Sequence, residues 1–261
     1  MNGSINLYNI YYGQYDNKYP DTNTIVDYFS ANIGNSSWYK IVSENYFQIN
    51  ADNSTTYAAK NISLVKSVNS IHAGLTAVSK PVLLTNKNFT DLIVSYFNIN
   101  KLPIDTNGIY AIIFRGDFTV KLDGQYWLTK WCGYHGTFVL NNDGRTIKYL
   151  VVGDINTAAG NWLQCAEFLG TSSVNRNAGA DTIVTHYAHE LAEIITDWDS
   201  AWYCDECALN PQSAGPEIGD VCAFQFGVDL SKVNWNIHVG TRKYLVQNIW
   251  RPGFGCVHTC C

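Results

Sequence analysis

The segment Ile5-Asn6-Leu7-Tyr8-Asn9-Ile10-Tyr11-Tyr12, closed by Gly13, decides the architecture. Its aromatic and β-branched residues read as a buried strand. Behind it, Ile25, Val26, Tyr28 and Phe29 recur at helical spacing within residues 22–32, after the cap-forming types Asp21 and Thr22. A strand that feeds a helix opens an α/β layer. The pattern continues downstream. Residues 88–97 read as an amphipathic helix, with Pro103 beyond its end, and residues 108–119 and 147–152 read as strands. Residues 38–69 read as short strands and loops, and 127–136 as a stretch dense in aromatics and glycine. Residues 182–196 form the clearest helix. After Trp198, Gly, Pro and Cys become frequent, and short strands are expected near 235–239 and 243–249. No linker divides the chain. The reading is one α/β domain over residues 1–261, with a mixed β-sheet, one helix that carries the chemistry and a disulfide-tied, loop-rich C-terminal part.

Composition narrows the function. The 261 residues suffice for a real core, and 46% of them are hydrophobic. Only 15% are charged, and the net charge is −5 with no basic run. A nucleic-acid groove needs clustered Lys and Arg, so that class is excluded. No apolar stretch approaches the roughly 18 residues of a membrane span. Neither a phosphate-binding Gly-x-x-x-x-Gly-Lys-Ser/Thr loop nor a Gly-x-Ser-x-Gly elbow is present.

Eight cysteines crowd the C-terminal half: Cys132, Cys165, Cys204, Cys207, Cys222, Cys256, Cys260 and Cys261. Five Asn-x-Ser/Thr sequons lie at Asn2, Asn35, Asn53, Asn61 and Asn88. Together they point to a secreted, glycosylated, disulfide-bonded protein. Met1-Asn2-Gly3-Ser4 lacks a signal-peptide pattern, which leaves a mature secreted form or an intracellular protein. Cys204-Asp205-Glu206-Cys207 has the spacing of a redox motif or half a zinc site, but no second Cys-x-x-Cys accompanies it. Structural disulfides are the better reading.

The chemistry concentrates on the clearest helix. At about 100° per residue, His186, His189, Glu190, Glu193 and Asp197 share one arc, opposite Val184, Tyr187, Leu191, Ala192, Ile194 and Ile195. Burying that many charges without compensation costs several kcal/mol each, and a bound cation is the economical remedy. His189-Glu190-x-x-Glu193 has the geometry of the zincin His-Glu-x-x-His helix, with a carboxylate as the second ligand. His189 and Glu193 are therefore candidate ligands, and Glu190 the candidate general base. His186 is a further ligand or a transition-state donor. Glu217 and Asp220, in Glu217-Ile218-Gly219-Asp220, are the leading source of the remaining ligands, with Asp205 and Glu206 weaker. Zn2+ fits best, and the carboxylates make Ca2+ or Mn2+ the alternatives. The competing reading is a solvated face with i,i+4 pairs, but the like charges and the lack of Lys argue against it. His135, between Gly133 and Gly136, reads as a tight-loop histidine placed to donate to a substrate oxyanion, or held there for turn reasons alone.

Several motifs together resemble the phosphate-induced protein, or EXORDIUM-like, family. They are Ile10-Tyr11-Tyr12-Gly13, Cys132-Gly133-Tyr134-His135-Gly136, the strand from Tyr149 to Gly153 leading to Gln164-Cys165-Ala166, and Arg242-Lys243-Tyr244-Leu245. His189 to Glu193, Thr196-Asp197, Trp202-Tyr203 and Glu217 to Cys222 are similar to the pattern of the family's microbial members. The resemblance implies disulfides Cys132–Cys165 and Cys222–Cys256, with Cys204, Cys207, Cys260 and Cys261 forming the rest. Plant members are secreted, wall-associated and linked to growth, and they largely lack the His-Glu pair.

The functional expectation is a secreted metal-dependent hydrolase, a peptidase, acting on a peptide. The alternative is a non-enzymatic extracellular or wall-associated protein with a structural cation. A glycan-binding surface built from the eight Trp and seventeen Tyr is a third reading, although core packing accounts for most such residues. The sequence assigns no oligomeric state.

Overall fold

The computed structural model describes residues 1–13, 20–70, 83–157, 165–166, 173–197 and 216–260. Chain order begins with β1 (Ser4–Tyr12), α1 (Thr22–Asn32), α2 (Ser37–Asn45), β2 (Phe47–Ile49), β3 (Thr55–Tyr57) and β4 (Asn61–Ser70). Next come β5 (Leu83–Leu84), α3 (Asn86–Asn98), β6 (Gly108–Arg115), β7 (Thr119–Leu122) and β8 (Gln125–Tyr126). The hairpin β9 (Gly133–Val139) and β10 (Thr146–Asp154) precedes the long helix α4 (Ala178–Asp197). Two small hairpins follow, β11 (Ile237–Val239) with β12 (Arg242–Tyr244), and β13 (Ile249–Arg251) with β14 (Gly255–Val257).

The central sheet has the order β4-β1-β6-β10-β9. The first four strands are parallel, and β9 is antiparallel to β10, with His135 opposite Leu150. Parallel strands joined by helices are covered on both faces, which explains the near-continuous apolar runs in β1, β6 and β10. One face sends Leu7, Ile109, Ala111, Ile113, Leu150 and Val152 into a core shared with α1, α2 and α4. The other sends Ile10, Ile112, Phe114, Tyr149 and Val151 against α3. On α4, Ile183, Val184, Tyr187, Leu191, Ile194 and Ile195 are fully buried. Its first turn is tied down by Asn177, whose Oδ1 accepts from Ala180 N (3.0 Å) and whose Nδ2 donates to Asp21 Oδ1 (2.9 Å). Asp21 stands at the N-cap position of α1 without capping it.

The mixed sheet, the helix carrying the ionisable arc and the disulfides Cys132–Cys165 and Cys222–Cys256 match the expectations. Cys260 is buried, with Sγ 3.5 Å from Glu44 Oε2. Cys204, Cys207, Cys261, Asp205, Glu206 and Trp202-Tyr203 lie outside the described residues. Two local readings are corrected. Residues 37–45 are helical, not strand and loop: the Ser36 hydroxyl accepts from Tyr39 N (3.0 Å), and Trp38, Tyr39, Ile41 and Val42 form one buried stripe. His135 lies within β9 rather than in a tight loop, and neither Gly133 nor Gly136 has a left-handed backbone. Among the described residues, no helix is long and apolar enough to cross a membrane.

Candidate metal centre

Three segments meet at one end of the sheet. The helix α4 supplies His189, Glu190 and Glu193 one turn apart. The edge strand β9 supplies His135, which its pleat directs toward α4. The third segment, residues 217–220, is fastened behind by the Cys222–Cys256 disulfide and by Trp250 N donating to Ile218 O (2.9 Å).

His135 Nδ1 donates to Glu190 Oε2 (2.9 Å) and lies 3.5 Å from Glu193 Oε2. Its Nε2 is 3.5 Å from Glu217 Oε2. His189 Nε2 lies 3.2 Å from Glu193 Oε1, 3.5 Å from Asp220 Oδ1 and 3.9 Å from Glu190 Oε1. Asp220 N donates to Glu193 Oε1 (3.0 Å). The structure thus brings together His135, His189, Glu190, Glu193, Glu217 and Asp220, but not His186. One turn earlier on α4, the His186 Nε2 lies 3.0 Å from Cys165 O, beside the Cys132–Cys165 disulfide. Burial pushes its pKa down to about 4, so it is neutral and holds the loop rather than the cluster.

Two glycines of the motifs are there for close approach. A Cβ on Gly133 would overlap the Glu190 carboxylate. One on Gly219 would stand 2.7 Å from Glu193 Oε1 and 2.8 Å from His189 Nδ1. Both backbones press directly on the site.

The electrostatics are those of a cluster short of positive charge. Burial opposes protonation of His135, but the hydrogen bond to Glu190 and the charges of Glu190, Glu193 and Glu217 outweigh it and push its pKa up to about 9. His189 is likewise opposed by burial and raised well above its ordinary value by Glu193, Asp220 and Glu190. Burial and then the Glu193 charge lift Glu217 to about 8, with Asp197 adding to the shift. Burial also raises Glu193, against the pull of His189. Glu217 Oε2 is buried without a hydrogen-bond partner among the described residues. Imidazoles, converging carboxylates and an orphaned acceptor are what a divalent cation requires. Within each of two ligand sets, His189/Glu190/Glu193 and His135/Glu193/Glu217, the ligand atoms lie within 4.8 Å of one another.

A family model described as the phosphate-induced protein 1 conserved region matches residues 1–260. The chain belongs to the phosphate-induced protein family. It is 25% identical to Protein EXORDIUM-like 5 of Arabidopsis thaliana over 284 aligned residues, which cover 95% of this chain and 72% of that protein. It is 26% identical to Protein EXORDIUM-like 3 of the same plant over 193 residues, covering 64% and 54%. No solved structure matches the chain.

One site neighbour escapes sequence reading. The Gln247 side-chain amide lies 3.1 Å from His189 Nδ1, donates to Gly219 O (2.7 Å) and accepts from Phe224 N (3.2 Å). It packs against the imidazole and the 217–220 segment together and fixes their relative position. A lone Gln in an unpatterned stretch gives no signal of that role.

Proposed function

We propose that this protein is an extracellular metal-dependent hydrolase with a zincin-like centre. His189 and Glu193 hold the cation together with Glu217 and Asp220, Zn2+ being the first choice and Mn2+ the second. Ca2+ suits the imidazoles less well. The observation that carries the reading is Glu190. It lies on α4 between the two ligands, and His135 holds its carboxylate at 2.9 Å.

A divalent cation in such a site polarises a scissile carbonyl and makes water nucleophilic near neutral pH. Glu190 accepts the proton from the attacking water and returns it to the leaving group. His135, charged and hydrogen-bonded to Glu190, orients that carboxylate and stabilises negative charge developing on the substrate oxygen. The site is open enough for a substrate, with the side chains of His135, Glu217 and Asp220 18%, 17% and 26% exposed. A peptide is favoured over a glycan because β9 ends the sheet. An extended chain can add to it as a further strand, directly alongside His135. The disulfides Cys132–Cys165 and Cys222–Cys256 and the exposure of all five sequon asparagines support placement outside the cell.

A second reading, a structural cation in a non-enzymatic protein, draws on a different observation. The same ligands tie β9, α4 and the disulfide-held C-terminal part together. Elemental analysis of gently purified protein, wild type against His189→Ala, tests the shared premise. Metal lost in the variant, followed by cleavage of a peptide library by wild type and not by Glu190→Gln, establishes the hydrolase. Metal without any cleavage, but with a lower melting temperature on chelation, establishes the structural ion.

A further inference from the structure

We infer that the centre is built for two divalent ions bridged by Glu193. The inference rests on the reading of this cluster as a cation site and extends it from one ion to a pair.

The two ligand sets, His189/Glu190/Glu193 and His135/Glu193/Glu217, share a single residue. Glu193 presents a different oxygen to each histidine: Oε1 lies 3.2 Å from His189 Nε2, and Oε2 lies 3.5 Å from His135 Nδ1. A carboxylate so placed between two imidazoles is a bridge. Each side has its own outer carboxylate. Asp220 Oδ1 is 3.5 Å from His189 Nε2, and Glu217 Oε2 is 3.5 Å from His135 Nε2. The buried Oε2 of Glu217 lacks a hydrogen-bond partner among the described residues and stands beside His135, so in the two-ion arrangement Glu217 leaves the His189 ion, to which the one-ion reading gave it, and serves the second.

Charge leads to the same count. Glu190, Glu193, Glu217 and Asp220 converge here, and among the described residues none is ion-paired to Lys or Arg. With both imidazoles neutral and all four carboxylates ionised, as metal ligands must be, one divalent ion neutralises half of the charge and two neutralise it all. Glu190 and Glu193 are buried, so the second ion compensates charge that water does not reach. One imidazole and oxygen donors on each side suit zinc or manganese better than calcium. On the His189 side Asp220 takes the ligand place and leaves Glu190 as the base, and with two ions His135 is a neutral ligand instead of the charged partner of Glu190 in the one-ion reading. For a peptide, one ion would make the attacking water nucleophilic and the other would polarise the scissile carbonyl oxygen, the division of labour available to two-metal aminopeptidases.

The test is a metal count on the full chain. Protein stripped with chelator is loaded with Zn2+, and separately with Mn2+, then desalted and analysed for metal per chain. Two ions per wild-type chain are expected, falling to one in His135→Ala, with circular dichroism as the check on folding. Manganese-loaded wild type is expected to give the electron paramagnetic resonance spectrum of an exchange-coupled pair. One ion per chain overturns the pair and leaves the mononuclear hydrolase standing, whereas none overturns both. Two ions with only the six-line spectrum of isolated Mn2+ overturn the Glu193 bridge. The wild-type count and spectrum decide the matter even where His135→Ala does not fold.

Discussion

The two ends of α4 both bury carboxylates, and they treat them oppositely. Near the N-terminus, Asp181 is 2% exposed and fully supplied with donors. Ser173 Oγ donates to it, as do Asn175 N (3.0 Å) and Asn175 Nδ2 (2.6 Å), and it sits where the helix dipole favours negative charge. In the other half, Glu190, Glu193 and Asp197 are equally buried, at 5%, 2% and 4%, and lie toward the end that disfavours anions. Glu190 and Glu193 face two imidazoles and one backbone N–H, that of Asp220. A carboxylate that belongs to the scaffold arrives with its hydrogen-bond donors. Glu190 and Glu193 have fewer donors than their oxygens can accept, which is the shortfall the proposed cation would fill.

The largest effect expected of that contrast lies in the ill-supplied half. Glu190→Gln keeps the shape and the cation but removes the base, and should lower peptide hydrolysis by about 10²–10⁴-fold. Steady-state kinetics beside elemental analysis checks both parts, and unaltered turnover would end the hydrolase reading. Next in size is the clamp behind Glu217 and Asp220. Replacing both Cys222 and Cys256 by Ala opens a loop with a sequence separation of 34 and should cost about 4 kcal/mol of stability. Because the same bridge fastens two candidate ligands, metal affinity should fall along with the melting temperature. In the corresponding Cys132/Cys165 double variant, the metal should be retained more tightly than in the Cys222/Cys256 one.

The contrast also explains what the sequence could and could not disclose. The strands β1, β6 and β10 and the helix α4 were legible because long apolar patterns survive any tertiary context. Glu217 and Asp220 were legible as a carboxylate pair around a turn. The helix α2 was not, since Trp38, Tyr39, Ile41 and Val42 are strand-favouring types, and only their burial stripe and the Ser36 cap make them helical. The strand β9 was hidden by glycines that look like turn residues. Gly133 is required by Glu190 on another element, and a Cβ on Gly136 would stand 3.1 Å from the Tyr149 hydroxyl. His186 shares the helical arc of the site residues but meets the Cys165 carbonyl first. For β9 and His186 the deciding contacts are long-range, so no local window contains them, whereas for α2 the Ser36 cap is local and only the burial of the stripe is set elsewhere in the fold.

The well-supplied end of α4 provides the control. Asp181→Ala leaves Ser173 and Asn175 without their acceptor and should cost about 2 kcal/mol in chemical denaturation. Bound metal should be unchanged. If metal is lost as well, the two ends are not independent, and the contrast between scaffold and site carboxylates fails.

The smallest and sharpest test uses Asp154, at the end of β10 beside the start of α4. It is 2% exposed and accepts from Asn156 N (2.8 Å). Burial raises its pKa from 3.8 to about 6, against the pull of that hydrogen bond and of Arg115. The sign follows from proton uptake. Between the two values the folded protein holds a proton that the unfolded chain has released, so stability falls as pH rises and levels off above the folded value. From pH 5 to pH 7 the loss from this one group is about 1 kcal/mol. Asp154→Asn keeps the acceptor for Asn156 N and cannot ionise, so its stability should decline less over that interval, by that amount. The comparison belongs in chelator, where wild type and variant share the same unmetallated centre and its titration cancels between them. An identical pH slope in both proteins would mean that Asp154 is charged throughout. The N-terminal end of α4 would then tolerate a buried charge without a cation, and scarcity of donors alone would no longer distinguish the site.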